Sequence, residues 1–201
     1  MTKVVDQEDM KTVADCILSG GVVSIPTETV YGVGCQFGNK DALEKLFVAK
    51  NRDHSKAITL MLSHLEDIEK YAYVDEKIMN VAKTFMPGRI TLILKKKDNV
   101  DDAMTNGLPT IGIRIPECQY VLDLIEMTGP LSVTSANLSG HKNTTDEQQV
   151  LEQLDGRIDL VVRGQTSSTL ASTVVMLTND EVKVLRKGAI SEEEIKEAFY
   201  R

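Results

Sequence analysis

Tryptophan is absent from this 201-residue chain, and aromatic side chains make up only 4% of it. Base stacking therefore has little to draw on, which counts against a protein built to hold single-stranded nucleic acid. Cysteine is sparse as well. Cys16, Cys35 and Cys118 are odd in number and far apart, with no Cys-x-x-Cys or His-x-x-x-His spacing beside them. That excludes a disulfide framework and a structural zinc site. Cys16 falls in an apolar helical pattern and reads as core; Cys35, after a Gly-x-Gly stretch, reads as core or as a reactive thiol. No apolar run approaches the roughly 20 residues of a membrane span, and the opening segment has no apolar stretch like that of a signal peptide. A cytoplasmic protein with no membrane partner is expected.

Hydrophobic residues make up 42% of the chain, enough for one substantial core and a single domain over residues 1–201. The net charge of −7 opposes broad binding to nucleic acid. Its distribution is uneven: residues 40–114 hold 13 basic and 11 acidic groups, whereas residues 115–201 hold 8 and 14. The basic middle suits a local anionic ligand.

Helical spacing of apolar residues predicts helices over 9–18, 41–50, 65–71, 76–85, 119–127, 147–154 and 192–200. The last follows Ser191, with Glu194 three residues on, the pattern of a capping box. Strands are expected over 22–25, 58–62, 90–95, 110–115, 131–134, 160–162, 172–177 and 182–185. They alternate with helices early and cluster late, which favours a mixed sheet covered by helices over a regular parallel one.

The familiar phosphate loops are missing. There is no Gly-x-x-x-x-Gly-Lys-Ser/Thr, and Gly32-Val33-Gly34 meets its next glycine at Gly38, one residue late for the dinucleotide fingerprint. His54, His64 and His141 lie in polar surroundings and read as surface residues. What remains is a series of polar segments at strand ends, where α/β proteins bind ligands. Pro26-Thr27-Glu28-Thr29-Val30-Tyr31-Gly32 offers two hydroxyls and a carboxylate, and reads equally as a binding loop or an ordinary one. Lys50-Asn51-Arg52-Asp53-His54-Ser55-Lys56 combines a guanidinium with two ammoniums, as a polyphosphate site would. In Thr110-Ile111-Gly112-Ile113-Arg114, alternation places Arg114 on the face opposite the isoleucines, so it must be exposed at an edge or paired. Ser135-Ala136-Asn137-Leu138-Ser139-Gly140, Ser172-Thr173 and Arg186-Lys187-Gly188-Ala189-Ile190 complete the series.

Taken in this order, the segments resemble the YrdC family of threonylcarbamoyl-AMP synthases, in its short, single-domain form. The match runs from Pro26 to Ile190. The resemblance implies a twisted, mixed, open α/β sheet with flanking helices and a deep, positively charged cavity. It also implies a nucleotidyltransferase that joins L-threonine, bicarbonate or CO2 and ATP into threonylcarbamoyl-AMP, with release of pyrophosphate, for t6A modification of tRNA. ATP would be a substrate, Mg2+ its helper, and a tRNA threonylcarbamoyl transferase complex the recipient of the product. No protein-bound metal site is implied.

Carried over position by position, the family's catalytic set is Lys50, Arg52, Ser135 and Asn137. Arg52, Lys56, Thr110, Asn137, Thr145 and Arg186 match ATP contacts; Thr29, Arg114, Ser135 and Ser172 match L-threonine contacts. Asn51 and Asp53 depart from a common Gly and Pro, Met61 replaces a histidine of longer members, and Arg89 stands where proline is frequent. Two alternatives remain. One is a YrdC-like module binding double-stranded RNA or tRNA through Arg89 and Lys95-Lys96-Lys97; the other is a paralogue with a different carbamoyl or acyl-adenylate reaction.

Overall fold

Acceptor side chains mark where most of the helices begin. Asp9, Asn39, Asp75, Asp146 and Ser191 each take a hydrogen bond from a backbone N–H of the first turn that follows, satisfying a donor that would otherwise be orphaned. They precede α1 (Met10–Leu18), α2 (Lys40–Lys50), α4 (Glu76–Phe85), α6 (Glu147–Leu154) and α7 (Glu192–Phe199), while α3 (Ile68–Tyr71) and α5 (Gln119–Thr128) lack such a cap. The expected capping box is formed by Ser191 and Glu194.

The computed structural model describes residues 1–54 and 58–201. Among these, ten strands form one sheet: β1 (Lys3–Val5), β2 (Val23–Ile25), β3 (Gly32–Gln36), β4 (Thr59–Met61), β5 (Ile90–Lys95), β6 (Thr110–Arg114), β7 (Leu131–Ser135), β8 (Leu160–Val162), β9 (Thr173–Thr178) and β10 (Glu181–Arg186). Their spatial order is β1-β8-β2-β3-β7-β4-β6-β5-β9-β10. The β1/β8, β8/β2, β4/β6 and β5/β9 pairs are parallel and the others antiparallel, so the expected mixed open sheet is present.

Two strands escaped the sequence reading. β1 has only three residues and pairs with β8 across most of the chain. β3 carries Gly32 and Gly34, which read as loop residues, yet a Cβ on Gly34 would lie 2.5 Å from the Ser132 carbonyl oxygen. Glycine is there so that β3 can approach β7 closely, not to make a turn.

Two hydrophobic clusters pack on opposite faces of the sheet. The larger sets Leu46, Phe47, Val81, Val150 and Phe199 of the helices against Val33, Leu60, Leu92, Ile113 and Val175 of the strands. The smaller joins Val13 and Ile17 of α1 and Val121 and Leu124 of α5 to Ile25, Val133 and Val162. Alternation along β4, β5, β6 and β9 sends one set of residues into the larger core. It leaves Thr59, Met61, Thr91, Ile93, Gly112, Arg114 and Val174 on the other face. That second face is where a cavity opens.

Candidate functional site

The cavity has a volume of about 320 Å3, and Arg52, Arg114 and Arg186 all line it. Its wall on the β2 side is the loop of residues 26–31, which is closed by its own side chains. Thr27 Oγ1 donates to the Val30 carbonyl at 2.7 Å, accepts the Thr29 N–H at 3.1 Å and lies 3.0 Å from Thr29 Oγ1. Tyr31 fixes the loop's end, donating from its hydroxyl to the Val162 carbonyl at 2.9 Å.

Arg114 is buried at the end of β6, so burial demands a counter-charge. Glu28 supplies it: Arg114 Nη2 donates to Glu28 Oε1 at 2.6 Å and to Thr29 Oγ1 at 3.1 Å. The same Glu28 oxygen accepts the Glu117 N–H at 3.0 Å. The choice between exposure and pairing resolves as pairing. In the sequence Glu28 is only one carboxylate in a polar loop, since nothing local to it announces a partner 86 residues away.

Arg186, at the end of β10, donates from Nε to the Ser172 carbonyl at 3.0 Å and from Nη2 to Ser172 Oγ at 3.1 Å. Ser172 Oγ lies 2.9 Å from Thr91 Oγ1. Burial, and then the field of Arg114, lower the Arg186 pKa; burial does the same to Arg52. Cations held together in a desolvated place favour an anionic ligand between them.

Lys50 departs from the expectation of a residue facing the reactants. It is fully buried and does not line the cavity; its ammonium donates to the carbonyls of Ser135 and Asn137, and its own carbonyl accepts the Ser139 N–H at 3.0 Å. Burial, followed by repulsion from Arg52, pulls its pKa down to about 7. Lys50 thus clamps the backbone that presents Ser135, which does line the cavity. Asn137 is buried beside it, donating from Nδ2 to the Leu138 and His141 carbonyls at 2.9 and 3.0 Å, while its Oδ1 is buried without a partner.

The cavity gathers Thr29, Arg52, Arg114, Ser135, Ser172 and Arg186 from the expected set, with Thr27 of the same candidate loop and with Thr59 and Thr91, which sequence reasoning had not singled out. Thr91 left one faint sign, a lone hydroxyl between Ile90 and Leu92. Thr110 and Thr145 do not line the cavity: Thr110 pairs with Lys95 at the start of β6, and Thr145 Oγ1 donates to Gln149 Oε1 at 3.3 Å. Lys56 lies outside the described residues.

Of the departures, Asn51 has φ 50° and ψ 46° as the C-cap of α2. This is the left-handed conformation glycine favours and asparagine tolerates. Met61 lines the cavity; Arg89 does not. Cys35 is core: burial pushes its thiol up to about 12, which leaves no reactive thiolate. The Lys95–Lys97 run is engaged locally, with Lys95 and Lys97 at 5.2 and 5.9 Å from the Tyr73 ring and Lys96 paired with Asp102.

Among the described residues, no three His, Cys, Asp or Glu side chains converge to hold a metal ion. No described helix is long and apolar enough to cross a membrane.

Comparison with known proteins supplies the context. The Sua5/YciO/YrdC family model, described as telomere recombination, matches residues 15–188. A threonylcarbamoyl-AMP synthase of Bacillus subtilis is 40% identical over 180 residues, covering 87% of this chain and 51% of that protein. The corresponding synthase of Pyrococcus abyssi is 33% identical over 198 residues, covering 97% and 58%. A crystal structure of P. abyssi Sua5 complexed with L-threonine superposes with a TM-score of 0.92 at 32% identity, covering 98% of this chain and 60% of that one. Escherichia coli YciO superposes at 0.88 with 27% identity, covering 97% and 100%. The chain spans little more than half the length of the two synthases.

Proposed function

Since this chain belongs to the Sua5/YciO/YrdC family, we propose that it is a threonylcarbamoyl-AMP synthase acting on L-threonine, bicarbonate or CO2 and ATP. The observation that carries this reading is the convergence of three arginines with Thr29, Ser135 and Ser172 on one cavity. The fold around that cavity matches a relative complexed with L-threonine.

The chemistry then follows from charge. Bicarbonate takes up a proton and loses water to give carbon dioxide; the amino acid's neutral amine attacks it, releases a proton to solvent and becomes a carbamate. A carbamate oxygen attacks the α-phosphorus of ATP, the bond to the bridging oxygen breaks, and pyrophosphate leaves. Negative charge grows on the phosphate oxygens, where Arg52 and Arg186 stabilise it without reorganising. Arg114, held by Glu28, presents the rest of its guanidinium to the amino acid's carboxylate. Lys50 contributes by holding Ser135 and Asn137 in place. No side chain of the cavity serves as a nucleophile, so positioning and electrostatics supply the rate. Mg2+ is proposed only as the counter-ion that ATP carries on its phosphates.

Residues 1–201 act as one catalytic domain in this reading, in the cytoplasm. The product serves tRNA modification through transfer to a separate enzyme. The test is incubation with ATP, bicarbonate and a panel of amino acids, followed by mass detection of adenylates. Threonylcarbamoyl-AMP is the expected product, lost with Arg52→Ala or Arg114→Ala; an adenylate formed with serine but not threonine would overturn the substrate.

A further inference from the structure

Hydroxyl groups carry one hydrogen each, and guanidinium groups only donate. Those two facts turn the cavity's hydrogen bonds into a count of what is left for a ligand. On the loop of residues 26–31, Thr27 gives its hydrogen to the Val30 carbonyl. Thr29 Oγ1, which accepts from Arg114, gives its own to Thr27. Both hydrogens are used, and Thr27 also accepts the Thr29 N–H, so these two hydroxyls leave a ligand one lone pair, on Thr29, and no hydroxyl donor.

The opposite wall differs. Ser172 Oγ accepts from Arg186 Nη2 at 3.1 Å and shares one hydrogen with Thr91 Oγ1 across 2.9 Å. Thr91 and Ser172 own two hydrogens between them, and among the described residues neither hydroxyl has any other acceptor. One hydrogen is therefore left over. Both residues are buried and both line the cavity, so a hydrogen pointing nowhere would cost free energy unless a ligand takes it.

We propose that the Thr91–Ser172 pair is a single shared donor to a carboxylate oxygen of the amino-acid substrate, which makes Thr91 a substrate-binding residue alongside Ser172. Arg186 donates to Ser172, and Arg114 lines the same cavity and acts on Arg186 through its charge, so an anionic oxygen is the acceptor that suits the place. The assignment rests on the amino-acid reading above. It adds that either hydroxyl can deliver the hydrogen: with Thr91 absent Ser172 is free to donate, and with Ser172 absent Thr91 is.

That redundancy is the signature to measure. L-Threonine binding is followed by titration calorimetry, without bicarbonate so that the carboxylate is the ligand's sole anionic group, for Thr91→Val, Ser172→Ala, the double variant and Thr91→Ser. Each single removal should raise Kd by about threefold, the double by about thirtyfold or more, and Thr91→Ser should stay within about twofold of the unsubstituted protein. Thermal melts show that each variant is folded. A double variant within about threefold, or single losses that multiply to the double, would overturn the shared donor. If the unsubstituted protein binds no L-threonine at millimolar concentration, the amino-acid reading itself falls and takes this assignment with it.

Discussion

Lys50 is a buried amine, and its surroundings show what it is kept for. The carbonyls of Ser135 and Asn137, at and just past the end of β7, converge on it, and they favour the charged form that burial and Arg52 oppose. With a pKa lowered from 10.5 to about 7, the folded state holds fewer protons than the unfolded one across that interval. The Lys50 contribution to stability is thus smallest below about pH 7 and grows as pH rises toward 10.5. Lys50→Met should destabilise by about 1–3 kcal/mol for the carbonyls it abandons. The deficit relative to the unsubstituted protein should widen by about 2 kcal/mol between pH 6.5 and 8.5. Urea unfolding at the two pH values reads this, and an unchanged deficit would contradict a buried, proton-losing lysine. Glu28 makes a second case at this scale. Glu28→Gln keeps an oxygen for Arg114 but removes the charge that orients the guanidinium. Under the proposed reaction, KM for L-threonine should rise about tenfold with kcat much less altered. Steady-state kinetics decide it, and an unchanged KM would reduce Glu28 to a mere counter-charge.

At the level of elements, the strongly periodic segments could be read from the sequence alone. α4, α6, β5 and β8 have the bounds expected from apolar spacing, because in each the pattern is unbroken by glycine. β3 could not be read that way: its glycines suppress strand propensity, and only the proximity of β7, about 100 residues on, explains them. A long-range constraint of this kind leaves no local trace. It does make a prediction about Gly34→Ala. The added methyl would meet the Ser132 carbonyl oxygen at 2.5 Å, and backbone atoms cannot swing aside as a side chain would. Overpacking should cost about 1–3 kcal/mol. Because β7 ends at Ser135, adenylate formation should fall along with the urea midpoint. Full activity in a stable Gly34→Ala variant would show that the two strands separate without disturbing the cavity.

Across the whole molecule, the site has no local module. Its lining comes from segments between Thr27 and Arg186, tied by bonds such as Arg114–Glu28 and Tyr31–Val162 that join residues 86 and 131 positions apart. This is why several cavity-lining residues could be named from the sequence while their arrangement could not. Motifs named Arg52, Arg114, Ser135, Ser172 and Arg186, but the pairing of Glu28 with Arg114 and the clamping role of Lys50 exist only once the sheet has brought distant strands together. The same dispersion has a thermodynamic consequence. A ligand that bridges these walls is bound by the complete sheet and by no fragment of it, so its binding free energy adds to global unfolding. L-Threonine at about one hundred times its Kd should raise the unfolding free energy by about 2.7 kcal/mol. The denaturant slope should not change, since the surface exposed on unfolding is the same. Unfolding followed by tyrosine fluorescence and by far-ultraviolet circular dichroism should shift together. Two separated transitions, only one of them moved by threonine, would instead mean that the cavity belongs to an independently folding part of the chain.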